Sequence, residues 1–452
     1  MGTSLTLETK TMESWHSQLM PYDFILEIAR DTGFLRRLRK LNPAYLLFVL
    51  VFGVSCHTKP TFEEIFRRYI NFDDNPKYEK RISIQSFKKR FDQNMVDFLS
   101  CLLSYYMRVM ISESPARLKG SVDEFKDILL QDSSIIRLSR KLLEFFPAAR
   151  TRGEAAGLKI HAVYSAISHS VKTIEITGER IHDSKMLRIG PDVKNTLLIN
   201  DLGYYSLKNF LKIDEFGGFF VSRVKSNAKA IISNILSYPE SVDGCVIKIG
   251  DTVMDLYEFL ERVPKIGIYD LVCSFEIYKK SKKANQKAVE KKFRVVCFWN
   301  PEKLVWHIYM TNLNSEKFSP KEIYELYKYR WVIELLFKEL KRDYNLGKLI
   351  LGNEPLAYVH IYSMLIRLIV SRNLYTWILS SVDSEEHNKY GPLVWSTVFV
   401  EKSSEFLSIL NQSLFGRGNV SWRWKKLKES LRDLARSRHK ISRLSQKYTY
   451  FS

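Results

Sequence analysis

The sequence predicts an α/β protein: a strand-rich core, interrupted by a second β-rich segment and flanked by helical regions at both ends. Three observations predict it. Apolar residues recur at helical spacing up to about residue 120 and again after Tyr344. From about 121 to 226 the pattern changes to short apolar or alternating runs that end in turn residues. A further set of such runs fills the stretch from Asn227 to about Tyr309, before a long helix resumes. The expected units are 1–120, a helical N-terminal DNA-binding domain; 121–226, the first part of the core; 227–310, the β-rich insertion; 311–382, the second part of the core; and 383–452, a basic helical C-terminal region.

Taken in order, Met1–Trp15 is polar and lacks the apolar stretch of a secretory signal. Pro43–Cys56 is apolar but shorter than the ~18 residues that read as a spanning helix, so it is expected as a buried helix. Thr61–Ile70 and Ile84–Ser100 are amphipathic and are separated by the turn-rich Asn71–Lys77. With Gln85, Lys88, Lys89 and Arg90 on the second, the pair suits a helix-turn-helix-like DNA reader or, equally, a helical bundle with a basic face.

In the core, Phe125–Ser133 reads as an apolar strand that closes at Asp132, Lys159–Ser168 as an alternating strand, and Thr173–Ile176 as a short β-branched one. Thr196–Asn200 is a buried run ending in Asp201, followed by the short helix Ser206–Ile213 and the strand Phe219–Lys225. The insertion offers Cys245–Gly250, Asp270–Lys279, Phe293–Trp299 and Val305–Met310 as strands, with Lys279–Lys292 as a solvated hairpin tip. Pro355–Val382 is long and apolar, but His360, Arg367 and Arg372 interrupt it, so it reads as a packed helix.

Composition narrows the function. A chain of 452 residues with 45% hydrophobic content can build a large core, and 13% aromatic residues argue against disorder. A net charge of +20 and a pI of about 9.5 point to a polyanionic partner, nucleic acid before membrane. The last 42 residues carry 11 Lys/Arg against 2 Asp/Glu with Trp422 and Trp424 among them, which suits phosphate contact with stacking or else a solvated face over two core tryptophans. Five scattered cysteines with no C-x-x-C pair argue against a zinc site or disulfide framework and fit a reducing compartment.

Chemistry is carried by Ser319–Tyr344, which reads as one long helix: Ser319 as N-cap, Pro320 at the first helical position and Glu322 in the first turn. Tyr327, Arg330, Glu334 and Lys341 fall within about 60° of one another on its wheel, beside an apolar stripe of Leu326, Ile333, Leu336, Phe337 and Leu340. Asp132 and Asp201 each close an apolar strand, where open sheets place their chemistry, whereas Asp127 precedes one and Asp183 and Asp192 lie in loops. Three carboxylates, Asp132, Asp201 and Glu334, suit hard ions such as Mg²⁺ or Mn²⁺. Two such ions about 4 Å apart can activate an attacking oxygen and stabilise a leaving one in phosphodiester cleavage.

Tyr327-x2-Arg330-x3-Glu334-x6-Lys341 resembles the Tyr-Arg-Glu-Lys motif of one branch of the DDE insertion-sequence transposases, those like insertion sequence 4. Asp201-Leu202-Gly203-Tyr204-Tyr205 resembles the block around that family's second Asp, with Leu202 where many relatives are polar, and Gln131-Asp132-Ser133-Ser134 resembles the block around the first. Gly157–His161, Arg223-Val224-Lys225 and Met310–Leu313 are similar to further blocks, so the resemblance covers roughly residues 125–380.

What the resemblance implies is an RNase H-like core, with Asp132, Asp201 and Glu334 as catalytic ligands of two Mg²⁺ or Mn²⁺ ions. It implies that Tyr327, Arg330 and Lys341 hold DNA phosphates. Arg223 and Lys225 are candidate DNA contacts, and Trp299, with Trp306 second, is the candidate to receive a flipped base. The implied protein is a prokaryotic, cytoplasmic, nucleoid-associated cut-and-paste transposase. It would act as a homodimer on terminal inverted repeats and target double-stranded DNA, through a hairpin in relatives, with no membrane involved. A DNA-binding derivative without cleavage and a stand-alone metal-dependent nuclease are the alternatives.

Overall fold

The computed structural model describes residues 21–38, 41–53, 62–72, 82–111, 124–149, 156–167, 170–242, 254–278, 288–344, 346, 353–414 and 420–436. The helices are α1 (Tyr22–Asp31), α2 (Pro43–Phe48), α3 (Phe62–Phe72), α4 (Ile84–Lys88), α5 (Gln93–Ile111), α6 (Leu207–Glu215), α7 (Leu256–Arg262), α8 (Pro320–Lys328), α9 (Arg330–Arg342), α10 (Glu354–Leu379), α11 (Pro392–Leu414) and α12 (Val420–Ala435). The strands are β1 (Asp127–Leu138), β2 (Ala156–Ser165), β3 (Ser170–Gly178), β4 (Thr196–Asn200), β5 (Phe219–Arg223), β6 (Ile231–Ser237), β7 (Ile268–Ile277), β8 (Val289–Asn300) and β9 (Val305–Thr311).

The nine strands form one sheet in the order β3-β2-β1-β4-β5-β9-β8-β7-β6. β2 runs antiparallel to both β1 and β3, while β1, β4 and β5 are parallel. This five-strand half is the RNase H-like core. The β-rich segment continues it edge to edge, because β9 pairs antiparallel with β5 from Val221↔Thr311 to Arg223↔Tyr309.

Strand alternation divides the apolar residues between two cores. Leu197, Ile199, Val221, Val296 and Tyr309 join the helices α8 to α11 on one face of the sheet. Leu198, Phe220, Val295, Cys297 and Met310 pack with α6 and α7 on the other. The N-terminal helices share the first core. Arg367 of α10 donates to the carbonyls of Leu50 and Val51, and Phe52 packs against Phe399 and Phe406 of α11. Leu50, Val51 and Phe52 lie in a π-helical turn, Val49–Gly53, that follows α2, so the apolar 43–53 run is buried as expected. No helix among the described residues is long and apolar enough to cross a membrane.

Several expectations are corrected by the fold. The Ser319–Tyr344 helix is two helices. Its N-cap forms as read and is completed as a capping box, Ser319 Oγ accepting from the Glu322 N–H and Glu322 accepting from the Ser319 N–H. At Tyr329, however, the Tyr329 N–H turns back to the Leu326 carbonyl and Val332 to Tyr329, a tightened three-residue turn that separates α8 from α9. Asp132 does not end its strand. β1 runs on to Leu138 because β2 keeps pairing with it, whereas its parallel partner β4 stops at Gln131↔Asn200. The amphipathic stretch 84–100 splits into α4 and α5, and Lys88 is bound to Glu63 of α3 at 3.2 Å, leaving Gln85, Lys89 and Arg90 exposed. Lys291 and Lys292 lie in β8 rather than in a hairpin tip, with Lys291 paired to Asp214 at 2.6 Å. The run Cys245–Gly250 lies outside the described residues. Trp424 is a core residue, and Trp422 is 58% exposed.

Candidate active site

The end of the β1·β4 ladder opens the site. Beyond Gln131↔Asn200, β1 continues without a parallel neighbour, and the chain leaving β4 turns away at Asp201 into a short 3-10 turn, Leu202–Tyr204. By alternation Asp132 and Asp201 share the face of Leu130 and Ile199, which is the face that α9 covers. α9 is held by its own apolar side: Ile333, Leu336, Phe337 and Leu340 are buried. Its Glu339, fully buried, is bound by Arg372 of α10 and by the Tyr344 hydroxyl at 2.9 Å. With that side fixed, Arg330 and Glu334 are left facing β1 and β4.

Arg330 stands among the three carboxylates. Its Nη2 lies 2.6 Å from Glu334 Oε1, Nη1 lies 3.5 Å from Asp132 Oδ2, and Nε lies 3.8 Å from Asp201 Oδ1. The Asp132 carboxyl is raised to about 7, first by burial; its bond from the Ser133 N–H and the charge of Arg330 oppose the rise, while Asp201 and Glu334 add to it. Tyr327, at the end of α8, packs its ring 4.8 Å from Tyr309 and 5.8 Å from the Arg330 guanidinium. Its buried hydroxyl makes no hydrogen bond among the described residues.

A groove of about 560 Å³ runs beside the carboxylates, lined by Asp132, Ser133, Ser134, Glu334, Lys338 and Lys341. Loss of hydration lowers the Lys341 ammonium, against the pull of Asp132. Arg342 also lines the groove but is bound to Asp343 and to the Leu393 carbonyl, so Lys338 and Lys341 are the cations more readily offered to a ligand there.

The remaining site candidates fall on both sides of the sheet. Arg223 is near enough to Tyr327, Tyr309 and His307 to act on their ionisation, which places it on the face of the carboxylates. Lys225 lies against Tyr205, its ammonium 5.5 Å from the ring, beside the second core. Trp299 pairs across the strands with Trp306, rings 5.1 Å apart, and alternation sets both on that second face. Any contact of Lys225 or Trp299 with a ligand is therefore made on the side of the sheet away from α9.

Sequence reasoning missed a polar group behind Asp132. Asp183 is bound by Lys159 and Ser133, and His161 bridges Tyr204 and Thr177. The available signal was Lys159 and His161, two polar residues at alternate positions of an otherwise apolar strand.

A phenol, a guanidinium and ammonium groups surrounding carboxylates form a site for phosphate chemistry. The family profile described as the Transposase DDE domain matches residues 123–366, which spans the core, the insertion and α8 to α9. The chain belongs to the DDE transposase family. The enzyme is therefore a DNA-cleaving and strand-transferring transposase of the insertion-sequence kind, and DNA is its substrate.

Among similar proteins is the transposase for insertion sequence element IS231F of Bacillus thuringiensis subsp. israelensis, 22% identical over 77% of this chain and 76% of that protein. Another is the transposase for insertion sequence element IS1151 of Clostridium perfringens, 23% identical over 77% of each. The cryo-EM structure of the piggyBac transposase synaptic complex with hairpin DNA resembles the chain loosely, with a TM-score of 0.43 and 11% identity over 99% of this chain and 86% of that one.

DDE transposases depend on divalent metal. The donors here fit a hard cation by chemistry: three carboxylates, all oxygen, one of them raised to about 7, so that an added cation competes there with a proton and favours the ionised form. As placed, they converge on Arg330 rather than on each other. Among the described residues no three His, Cys, Asp or Glu side chains stand close enough to share an ion. Arg330 lies within 3.8 Å of an oxygen of each of the three carboxylates.

Proposed function

We propose that Asp132, Asp201 and Glu334 are the catalytic carboxylates of this transposase, and that they hold two Mg²⁺ or Mn²⁺ ions. One observation carries the reading: three carboxylates from distant parts of the chain converge on a single guanidinium beside a cationic groove. When bound, the ions would supply positive charge to the attacking and leaving oxygens of the scissile phosphate. The chain's own residues do the rest. Lys341, with Lys338 beside it, attracts the phosphodiester backbone into the groove as point charges. Arg330, once released by the carboxylates, offers a planar fork to a phosphate. Tyr327 presents a hydroxyl with no hydrogen-bond partner among the described residues, and Arg223 extends the positive lining. Burial of Asp132 keeps water from screening these charges.

On this reading the protein belongs to the Tyr-Arg-Glu-Lys branch and moves its element by cut and paste. It acts as a homodimer that binds terminal inverted repeats and then joins their 3′ ends to target DNA. Residues 1–120 and the basic region 383–452 are the parts that hold flanking DNA, with Lys89, Arg90 and the exposed Trp422 as their accessible groups.

The test is strand cleavage of a labelled duplex carrying the element's own terminal repeat, with Mg²⁺ and with EDTA, for the wild type and Asp201→Ala. Cleavage at the repeat boundary that needs Mg²⁺ and disappears in the variant is expected. Equal cleavage by both proteins would overturn the assignment. Binding of the same duplex should weaken steeply with salt, since each neutralised phosphate releases counterions.

A further inference from the structure

Asp132 and Asp201 sit on separate segments, and the parallel ladder that joins those segments ends just before both of them. A metal-binding pair needs its mutual position held to a few tenths of an ångström. What holds it lies on the opposite face of the sheet, where Ser133, Lys159 and His161 point.

Asp183 opens a 3-10 turn, Asp183–Lys185, after β3. Its Oδ1 accepts from Ser133 Oγ at 3.0 Å and from Lys159 Nζ at 2.9 Å. Ser133 in turn donates its backbone N–H to Asp132 Oδ1 at 2.7 Å. The other oxygen, Oδ2, fills the space beside Gly203 that a side chain would need: a Cβ built there would meet it at 2.8 Å. Gly203 belongs to the turn that Asp201 begins, closed by the Tyr204 N–H on the Asp201 carbonyl at 2.9 Å. One carboxylate thus touches the residue after Asp132 and the second residue after Asp201.

The surroundings keep it in place. Lys159, 10% exposed, also donates to the Ile181 carbonyl at 2.9 Å. His161 bridges the Tyr204 hydroxyl at 3.0 Å and Thr177 Oγ1 at 2.9 Å, which ties the same turn to β2 and β3. An ion pair that only stabilised the loop would need Lys159 alone. The contacts to Ser133 and Gly203 are what link it to the two aspartates.

We infer that Asp183 is a positioning residue that sets Asp132 and Asp201 relative to one another, with Lys159 as its counter-charge and Gly203 as its seat. The inference rests on the catalytic reading of those aspartates. Outer partners of metal ligands typically change metal affinity or activity by about 10–100-fold when removed.

The experiment compares Asp183→Ala, Asp183→Asn, Gly203→Ala and the Asp183→Ala/Gly203→Ala double variant, with Asp132→Ala run as the inactive reference. It measures cleavage against Mn²⁺ concentration, Mn²⁺ binding without DNA by EPR titration, and duplex affinity. Asp183→Ala is expected to cleave about 10–100-fold more slowly, with its Mn²⁺ midpoint raised about tenfold and weaker binding of Mn²⁺ alone, while duplex affinity stays within about twofold. Asp183→Asn, which still accepts from Ser133, should recover most of the loss. Gly203→Ala should mimic Asp183→Ala without touching a charge. The double variant should be no worse than either single one, since the missing carboxylate leaves room for the new methyl.

An unchanged Mn²⁺ midpoint and unchanged Mn²⁺ binding in folded Asp183→Ala, with Asp132→Ala inactive, would overturn the inference and leave the catalytic reading standing. Should Asp183→Ala fail to fold, the same readouts on Asp183→Asn and Gly203→Ala decide. Misfolding of all three would make Asp183 purely structural and overturn the inference too. Cleavage by Asp132→Ala at the wild-type rate would instead sink the catalytic reading beneath it.

Discussion

Arg294, buried, and Arg330, part-buried, are guanidiniums set against carboxylates on the same face of the sheet. Arg294, on β8, gives Asp270 two parallel hydrogen bonds, at 2.9 and 2.8 Å, and spends a third nitrogen on the Phe318 carbonyl at 2.7 Å. One acid faces one base and the donors are used. Arg330 is shared among three acids at 2.6, 3.5 and 3.8 Å, and its Nε is buried without a hydrogen bond among the described residues. A satisfied pair has little to gain from rearrangement. Three carboxylates around a single guanidinium carry more negative charge than it can balance, so the carboxylates are stabilised by a further cation that joins the cluster. The first arrangement secures the β-rich segment to the loop before α8, and the second leaves a site ready to change partners.

The largest effect is expected where the comparison meets the chemistry. On the proposed reading of Glu334 as a metal ligand, Glu334→Ala should reduce cleavage by roughly 10³-fold or more, since several kcal/mol of transition-state stabilisation is lost with it. Duplex affinity and the melting temperature should change little, because Glu334 is about a third exposed and the apolar side of α9 is untouched. Gel shift and thermal denaturation beside the cleavage assay separate these outcomes. Equal loss of binding and cleavage would make Glu334 a structural residue like Asp270.

Arg294→Ala should do the reverse. It strands Asp270, 2% exposed, without a counter-charge, at a cost of about 3–5 kcal/mol of stability. Urea denaturation should show that loss, and any protein that remains folded should keep its normal Mn²⁺ dependence of cleavage. A stability change below about 1 kcal/mol would show that the pair is less well buried than its geometry suggests.

How much of this contrast the sequence reveals differs by residue. Thr196–Asn200 was legible as a buried strand because five apolar or small residues run between turn signals, and the N-cap at Ser319 was legible because Pro320 and Glu322 follow it in the first turn. β6 was not legible: Ile231–Ser237 has no steady alternation, and its burial follows none. The break at Tyr329 left no mark, since aromatic residues around it are compatible with a continuous helix. Asp132 was found for a reason that needed correction, because the ladder that ends there belongs to β4 and not to β1 itself. Asp183 was passed over as a loop residue, since what distinguishes it is contact with residues 50 and 20 positions away, Ser133 and Gly203. Trp422 and Trp424 look alike in sequence, and only packing assigns one to solvent and one to the core.

The smallest effect tests the comparison most directly. In Arg330→Gln the guanidinium leaves the three carboxylates without their shared cation. The metal-free variant should then lose stability by about 1 kcal/mol, less than a fully buried pair would cost, because Glu334 and Asp201 are about a third exposed and water screens them. Added Mn²⁺ should return that stability, since an ion that binds only the folded state stabilises it in proportion to RT ln(1 + [L]/Kd). The gain in melting temperature with Mn²⁺ should therefore be larger for Arg330→Gln than for the wild type, in which ion and arginine compete for the same oxygens. Arg294→Gln should show no such difference, as Asp270 offers no open position to an ion. An equal Mn²⁺ response in wild type and Arg330→Gln would mean that Arg330 does not stand in the metal's place, and that the carboxylates close on an ion beside it.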